Sequence, residues 1–182
     1  ASSHFLRRRN MNQNNPALFY INREYLKYMH EVDSRVSLKY NGRMFAGIVT
    51  IINEQKYVIP LTSQTTEERK KRGKGKRSSV ITTFVAESSG KEIADLLYNN
   101  MLPVYDEVIS PVNIDPKINT YELNEIRFLR KSWDNIQKKA VNVYKDRNNK
   151  NSPNYGFLLK VCCDYRKLEE ASIEYLSHSA KE

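Results

Sequence analysis

The sequence predicts an α+β fold in which a small antiparallel sheet or partly closed barrel packs against several helices. Two observations predict it. Short β-branched and aromatic runs bounded by turn residues fill the first two thirds of the chain, and apolar stripes of period near 3.6 fill the last third. With 182 residues, 40% of them hydrophobic, the chain can bury one core. Residues 11–182 therefore read as a single domain. Residues 1–10 precede Met11 and read as an appended remnant or a disordered arm.

Taken in order, Phe19-Tyr20-Ile21 is a short strand, and Asn22 can cap a helix whose Tyr25, Leu26, Met29 and Val32 share a face. Lys39 to Arg43 has turn composition. Met44 to Ile52 is a buried strand, Asn53-Glu54-Gln55 reverses the chain, and Lys56 to Leu61 returns as its hairpin partner, with Pro60 marking an end or an edge. Thr65 to Ser79 is too charged to pack and reads as a surface loop. Val80 to Val85 is again a strand, and Ser88 or Ser89 can start a helix carrying Ile93, Leu96 and Leu97. Met101 to Ile109 is extended. Asn119 and Glu122 form a capping-box pattern before one long helix through Leu123, Ile126, Leu129, Trp133, Ile136, Ala140 and Val143. The asparagine-rich stretch from Asp146 to Pro153 ends it, and a last helix spans about Tyr155 to Leu176.

Charge narrows the function classes. The net charge is +9, of which Arg7, Arg8 and Arg9 account for three, while Arg69 to Arg77 alone holds seven basic residues. Such a patch favours an anionic partner, nucleic acid first. The only cysteines, Cys162 and Cys163, are adjacent and read as reduced core thiols, since neighbours cannot readily meet disulfide geometry. No apolar run approaches the ~20 residues of a membrane span, and no signal peptide is apparent, so a cytoplasmic protein without a membrane partner is expected. Three histidines, His4, His30 and His178, offer no metal-ligand cluster, so no cofactor is expected.

The most informative stretch joins the strand Tyr57-Val58-Ile59-Pro60-Leu61 to Thr62-Ser63 and then to the cationic run. Hydroxyls that can donate to phosphate oxygens lie beside lysines and arginines that can neutralise them. The plainer alternatives are a solvated basic loop and a Thr-Ser turn bonded to its own backbone. Ser63 as a hydrolase nucleophile is disfavoured, because no glycine elbow surrounds it and His30 is the only internal histidine. Hairpin pairing about Glu54 brings Arg43 near Ser63, where a guanidinium could clamp an oxyanion or simply form a surface salt bridge. Lys39 and Tyr40 lie in the loop entering that strand, the lysine suited to a phosphate and the phenol to stacking on a base. Glu67-Glu68 and Asp106-Glu107 do not read as metal ligands. An RNA-cleaving enzyme would then use the substrate's own 2′-hydroxyl, and a non-catalytic RNA-binding module would use the same basic loop.

These residues resemble the ToxN/AbiQ family of type III toxin–antitoxin endoribonucleases. The blocks that carry the resemblance are Phe19-Tyr20-Ile21, Tyr25-Leu26-Lys27-Tyr28, Phe45-Ala46-Gly47-Ile48-Val49 and, most specifically, Lys56-Tyr57-Val58-Ile59-Pro60-Leu61-Thr62-Ser63. Met101-Leu102-Pro103-Val104, Arg127-Phe128-Leu129-Arg130 and Asp164-Tyr165-Arg166-Lys167 match less specifically. The resemblance implies a twisted core similar to that of the MazF/Kid toxins. It further implies metal-independent cleavage of cellular or phage RNA to 2′,3′-cyclic phosphate ends, with inhibition by a small antitoxin RNA of pseudoknot repeats. An RNA-bridged protein–RNA assembly and a role in phage abortive infection belong to the same expectation. Carried over, the catalytic set is Ser63, Thr62, Arg43 and Tyr40; the residues expected to bind RNA are Lys39, Thr65, Lys70, Lys71, Arg72, Lys74, Lys76 and Arg77, in and beside the two loops. Thr65 stands where some members have a lysine, so that cation must come from the basic loop or be absent.

Overall fold

The computed structural model describes residues 16–38 and 46–181. Strand β1 (Leu18–Ile21) leads into helix α1 (Arg23–Val32), and the side chain of Asn22 accepts hydrogen bonds from the amides of Glu24 and Tyr25 as its N-cap. β2 (Ala46–Ile52) and β3 (Gln55–Thr62) form the expected hairpin, paired without a shift from Ile52↔Gln55 to Gly47↔Pro60. Asn53 and Glu54, at φ 49° and 66°, make the left-handed two-residue turn that suits the twist of such strands.

Beyond the hairpin come α2 (Thr66–Lys71), β4 (Thr82–Ala86), β5 (Glu92–Leu97), β6 (Leu102–Pro103) and β7 (Ile109–Pro111). The strands order as β4-β5-β3-β2-β1-β7, all antiparallel, with β6 pairing β3 off that path. One edge of β3 follows β2. The other edge changes partner, Tyr57 and Val58 facing β6 while Leu61 and Thr62 face β5. The sheet therefore curls into a half-barrel, as the fold class requires.

Pro60 lies inside this central strand rather than at an end or an edge. It falls between the residues paired with β6 and those paired with β5, where a missing N–H breaks no ladder. Five other expectations are corrected. Thr65 to Ser79 is not all loop: six residues form α2. Ser88 and Ser89 start no helix, because Gly90 (φ 87°) closes a turn in which the Glu87 amide bonds the Lys91 carbonyl, and β5 follows. Ala94, Asp95 and Leu96 are all buried, which erases the alternation that marks a one-sided strand. The long helix is two, α3 (Thr120–Lys131) and α4 (Trp133–Arg147), interrupted at Ser132 while the apolar stripe continues across the break. Asn119 caps nothing with its side chain, which instead accepts from the Asp115 amide at 2.9 Å. The last helix is likewise two, α5 (Tyr155–Val161) and α6 (Tyr165–Ser179): Cys162 is extended, Cys163 donates its amide to the Asn99 carbonyl, and Asp164 caps α6.

The helices fix β3 from behind. Tyr57 is fully buried, and its hydroxyl and that of Tyr144 both donate to Glu169 of α6. The Tyr144 and Tyr165 rings stack at 5.5 Å, and Tyr57 meets both edge-on. Tyr25 donates to the Pro103 carbonyl and Tyr165 to the Tyr98 carbonyl at 2.7 Å, so α1 and α6 clamp the same segment. Cys162 and Cys163 are free and buried. Removing the shared acceptor should cost more than removing one donor: Glu169→Ala should lower unfolding free energy by roughly 2–3 kcal/mol and Tyr57→Phe by about 1 kcal/mol, measured by urea titration. The reverse order would show that Glu169 is not the acceptor holding β3.

Candidate functional site

Where β3 ends, a cleft of about 550 Å³ opens between two walls. Pro60, Leu61, Thr62 and Gln64 form its floor. One wall is the chain after α1, from Ser34 to Leu38, together with His30. The other is the basic segment, through Arg69, Lys74 and Arg77. The first wall is pinned by Asp33, which is nearly buried. Burial opposes its charge, but hydrogen bonds from Arg35 and from the Asp164 amide at 2.7 Å outweigh that and hold its carboxyl below the usual range. Arg35 thus reaches the cleft from a bidentate anchor, and its Nη1 also donates to the Leu159 carbonyl at 3.1 Å.

The hydroxyls at the strand end differ. Thr62 Oγ1 accepts from the Gln64 amide at 3.2 Å and lines the cleft. Ser63 is exposed beside the cleft; its carbonyl accepts from the Thr65 amide at 2.9 Å, and its hydroxyl has no hydrogen-bond partner among the described residues. The Thr65 side chain is spent inside the fold: it is buried and accepts from the Glu68 amide as the N-cap of α2.

The cationic run is sorted rather than uniform. Arg69 donates to the Gly75 carbonyl at 2.8 Å and faces the cleft with Lys74. Lys71 pairs with Glu68 at 3.0 Å, while Lys70 and Arg72 are exposed and lie outside the cleft wall. The Lys76 ammonium sits 4.7 Å from the centre of the Phe84 ring. Arg77 is mostly buried, with Nε 3.1 Å from Asp95 of β5, the residue that faces Thr62 across the ladder.

Asp95 is fully buried and no donor is aligned to either of its oxygens. Burial, then the neighbouring Glu92, push its pKa up to about 8 against the pull of Arg77. Glu92 is held below its usual range despite burial, by Asp95 and by the amide and hydroxyl of Thr66. The proton of the pair therefore resides on Asp95, and the single negative charge of Glu92 faces Arg77 and the start of α2.

Lys39, Tyr40 and Arg43 lie outside the described residues. The chain nevertheless leaves the described wall at Leu38, which lines the cleft, and Gly47 of β2 faces Pro60 in its floor. The sequence did not mark Arg35, Gln64, Asn100 or Asp95. Of these only Asp95 left a signal, a carboxylate set between the apolar pairs Ile93-Ala94 and Leu96-Leu97. Among the described residues no cluster of three or more His, Cys, Asp or Glu could hold a metal ion, and no helix is long and apolar enough to cross a membrane.

A half-barrel whose central strand brings Thr62 to a cleft walled, among the described residues, by Arg35, Arg69, Lys74 and Arg77 has the chemistry to hold a phosphate ester. Residues 17–173 match the family model described as Toxin ToxN, type III toxin-antitoxin system. The chain belongs to the ToxN family. It is 32% identical over 175 residues to Endoribonuclease ToxN of Bacillus thuringiensis subsp. kurstaki, covering 90% of this chain and 86% of that protein. A solved structure from work on selective toxin inhibition by a non-coding RNA pseudoknot superimposes with a TM-score of 0.77 at 32% identity, covering 88% of this chain and 98% of that one. The structure of AbiQ, a lactococcal anti-phage endoribonuclease of the type III systems, gives 0.74 at 25% identity over 90% and 99% of the two chains.

The Asp95 assignment sets a pH dependence. Its folded pKa stands above the unfolded value of 3.8, so its contribution to stability is full at low pH and is lost as pH rises through about 8. Asp95→Asn, which mimics the protonated side chain, should flatten the fall in thermal midpoint between about pH 4 and about pH 8. Parallel wild-type and variant curves would place the proton elsewhere.

Proposed function

We infer that this chain is the endoribonuclease toxin of a type III toxin–antitoxin system, held inactive by a small pseudoknot-forming antitoxin RNA. It acts in the cytoplasm, where cleavage of cellular or phage RNA gives abortive infection, and the antitoxin RNA bridges copies of the toxin into a larger assembly. The observation that carries this reading is the convergence of Thr62 with Arg35, Arg69, Lys74 and Arg77 on one cleft, in a chain of this family.

The chemistry that these side chains support is transesterification. The 2′-oxygen attacks the adjacent phosphorus, the bond from phosphorus to the 5′-oxygen breaks, and a 2′,3′-cyclic phosphate and a 5′-hydroxyl result. No metal is required, because guanidinium and ammonium groups offset the charge that gathers on the non-bridging oxygens. Ser63 and Thr62 donate hydrogen bonds to the scissile phosphate or orient the 2′-hydroxyl. Arg43 neutralises developing charge, and Tyr40 positions a base or assists proton transfer. Lys39, Lys70, Lys71, Arg72 and Lys76 hold flanking RNA and the antitoxin, while Arg69, Lys74 and Arg77 supply cations at the cleft itself. Thr65 serves as the cap that sets the direction of α2, and a cleft cation stands in for the lysine that other members carry at its position.

Incubating the protein with total RNA in EDTA and mapping the ends tests the class: discrete cuts with cyclic phosphate ends are expected, and intact RNA would leave only a binding module. Ser63→Ala should abolish cleavage and growth inhibition with antitoxin RNA affinity retained; wild-type cleavage by the variant would remove Ser63 from the reaction. Neutralising Lys70, Lys74 and Lys76 together should weaken RNA binding and reduce the slope of log affinity against log salt by about 0.7 for each lost single-strand phosphate contact. An unchanged slope would take the basic segment out of the interface.

A further inference from the structure

We propose that His30 is the general base of RNA cleavage, accepting the 2′-hydroxyl proton at Nε2. The proposal rests on the transesterification reading above and adds to it an acceptor for the 2′-hydroxyl proton. His30 is half-buried near the end of α1 and lines the cleft together with Thr62. Its Nδ1 lies 2.6 Å from the Val36 carbonyl. A carbonyl oxygen can only accept, so Nδ1 donates. In the neutral ring the lone pair then resides on Nε2, which has no partner among the described residues. One backbone carbonyl thereby fixes both the tautomer and the plane of the ring.

The other described side chains around the cleft cannot take this proton near neutrality. Arg35, Arg69, Lys74 and Arg77 carry theirs already, and Ser34, Ser37, Thr62, Gln64 and Asn100 are not basic. Among the described residues, the charged groups of the cleft walls are those four cations, with no carboxylate. On α1, Lys27 precedes His30 by one turn and Glu31 follows it, while on the packed face of α6 Glu174 is engaged by the Tyr28 hydroxyl. In the step, Nε2 takes the 2′-hydroxyl proton as the 2′-oxygen bonds to phosphorus. The bond to the 5′-oxygen breaks, that oxygen takes a proton from water, and the imidazolium later returns its proton to solvent. The four cations offset charge on the phosphate and take no part in the proton's path.

His30→Asn separates the two functions of the ring. The asparagine Nδ2 can keep the hydrogen bond to Val36, and no base remains at the Nε2 position. Single-turnover cleavage of an RNA oligonucleotide should fall on the order of 10²-fold or more in this variant, with RNA affinity maintained. The wild-type rate should rise with pH along an acidic limb, and the variant should lose that limb. His30→Gln should match the loss of activity. A variant that is slower but keeps the wild-type acidic limb, or one with wild-type rate and profile, would overturn the proposal. The underlying reading is checked separately on the wild type: products ending in 3′-hydroxyl groups would overturn transesterification itself, whereas cyclic phosphate ends with an unaltered variant profile would overturn only the role of His30.

Discussion

Strand β3 carries a ladder along both edges, and the exchange of partners along one of them shapes the rest of the protein. At Tyr57 and Val58 that edge faces β6, and at Leu61 and Thr62 it faces β5. Two halves of the sheet share one strand and diverge at its end. The divergence is what opens a cleft there, and the strand that causes it also delivers Thr62 to the floor. Pro60 suits the exchange because its missing N–H falls in the gap between the two ladders. Behind the strand, Tyr57 is held by Glu169 within a cluster of packed tyrosines. A fully buried phenol bonded to a carboxylate fixes the strand along its length more narrowly than apolar contact does, since its direction as well as its depth is set.

The second constraint is electrostatic. Seven cations within nine residues repel one another, and left to solvent they would spread. Arg77 is instead drawn in against Asp95, Arg69 is tied to Gly75, and α2 begins on the Thr65 cap with Glu92 at its first amide. Asp95 and Glu92 share one proton, so the buried cluster presents one negative charge to Arg77 rather than two. A second buried anion would cost several kcal/mol of desolvation. This sorting leaves Arg69, Lys74 and Arg77 on the cleft and turns Lys70, Lys71 and Arg72 away from it. Arg35, anchored on Asp33, answers them from the opposite wall.

Several elements were legible because their signals are local. The Asn22 cap, the β2–β3 hairpin and the strand end at Thr62 depend on neighbouring residues and stand in the structure as read, whereas Pro60 marks neither an end nor an edge. The two helix breaks share one cause. An apolar stripe reports which face is buried but not whether the backbone is continuous, so the breaks at Ser132 and at Cys162 to Asp164 passed unseen. The sequence of β5 has helical spacing because burial on both faces removes the alternation that distinguishes a strand. Of the expected site residues, Thr62, Lys74 and Arg77 lie together on the cleft, Ser63 is beside it, and Thr65 is inside the fold as a cap.

By itself the sequence determined the α+β class, the strand that ends in Thr62-Ser63, the cationic run beside it, and through these the family. Only the tertiary structure decided which cations meet the hydroxyl, that His30 and Arg35 stand across from them, and that Arg77 is a buried anchor rather than a solvated charge. The reason is one of range. Propensity and capping act over a few residues, whereas desolvation and charge pairing depend on which strands become neighbours, and Asp95 faces Thr62 only because β3 exchanges β6 for β5 at its end.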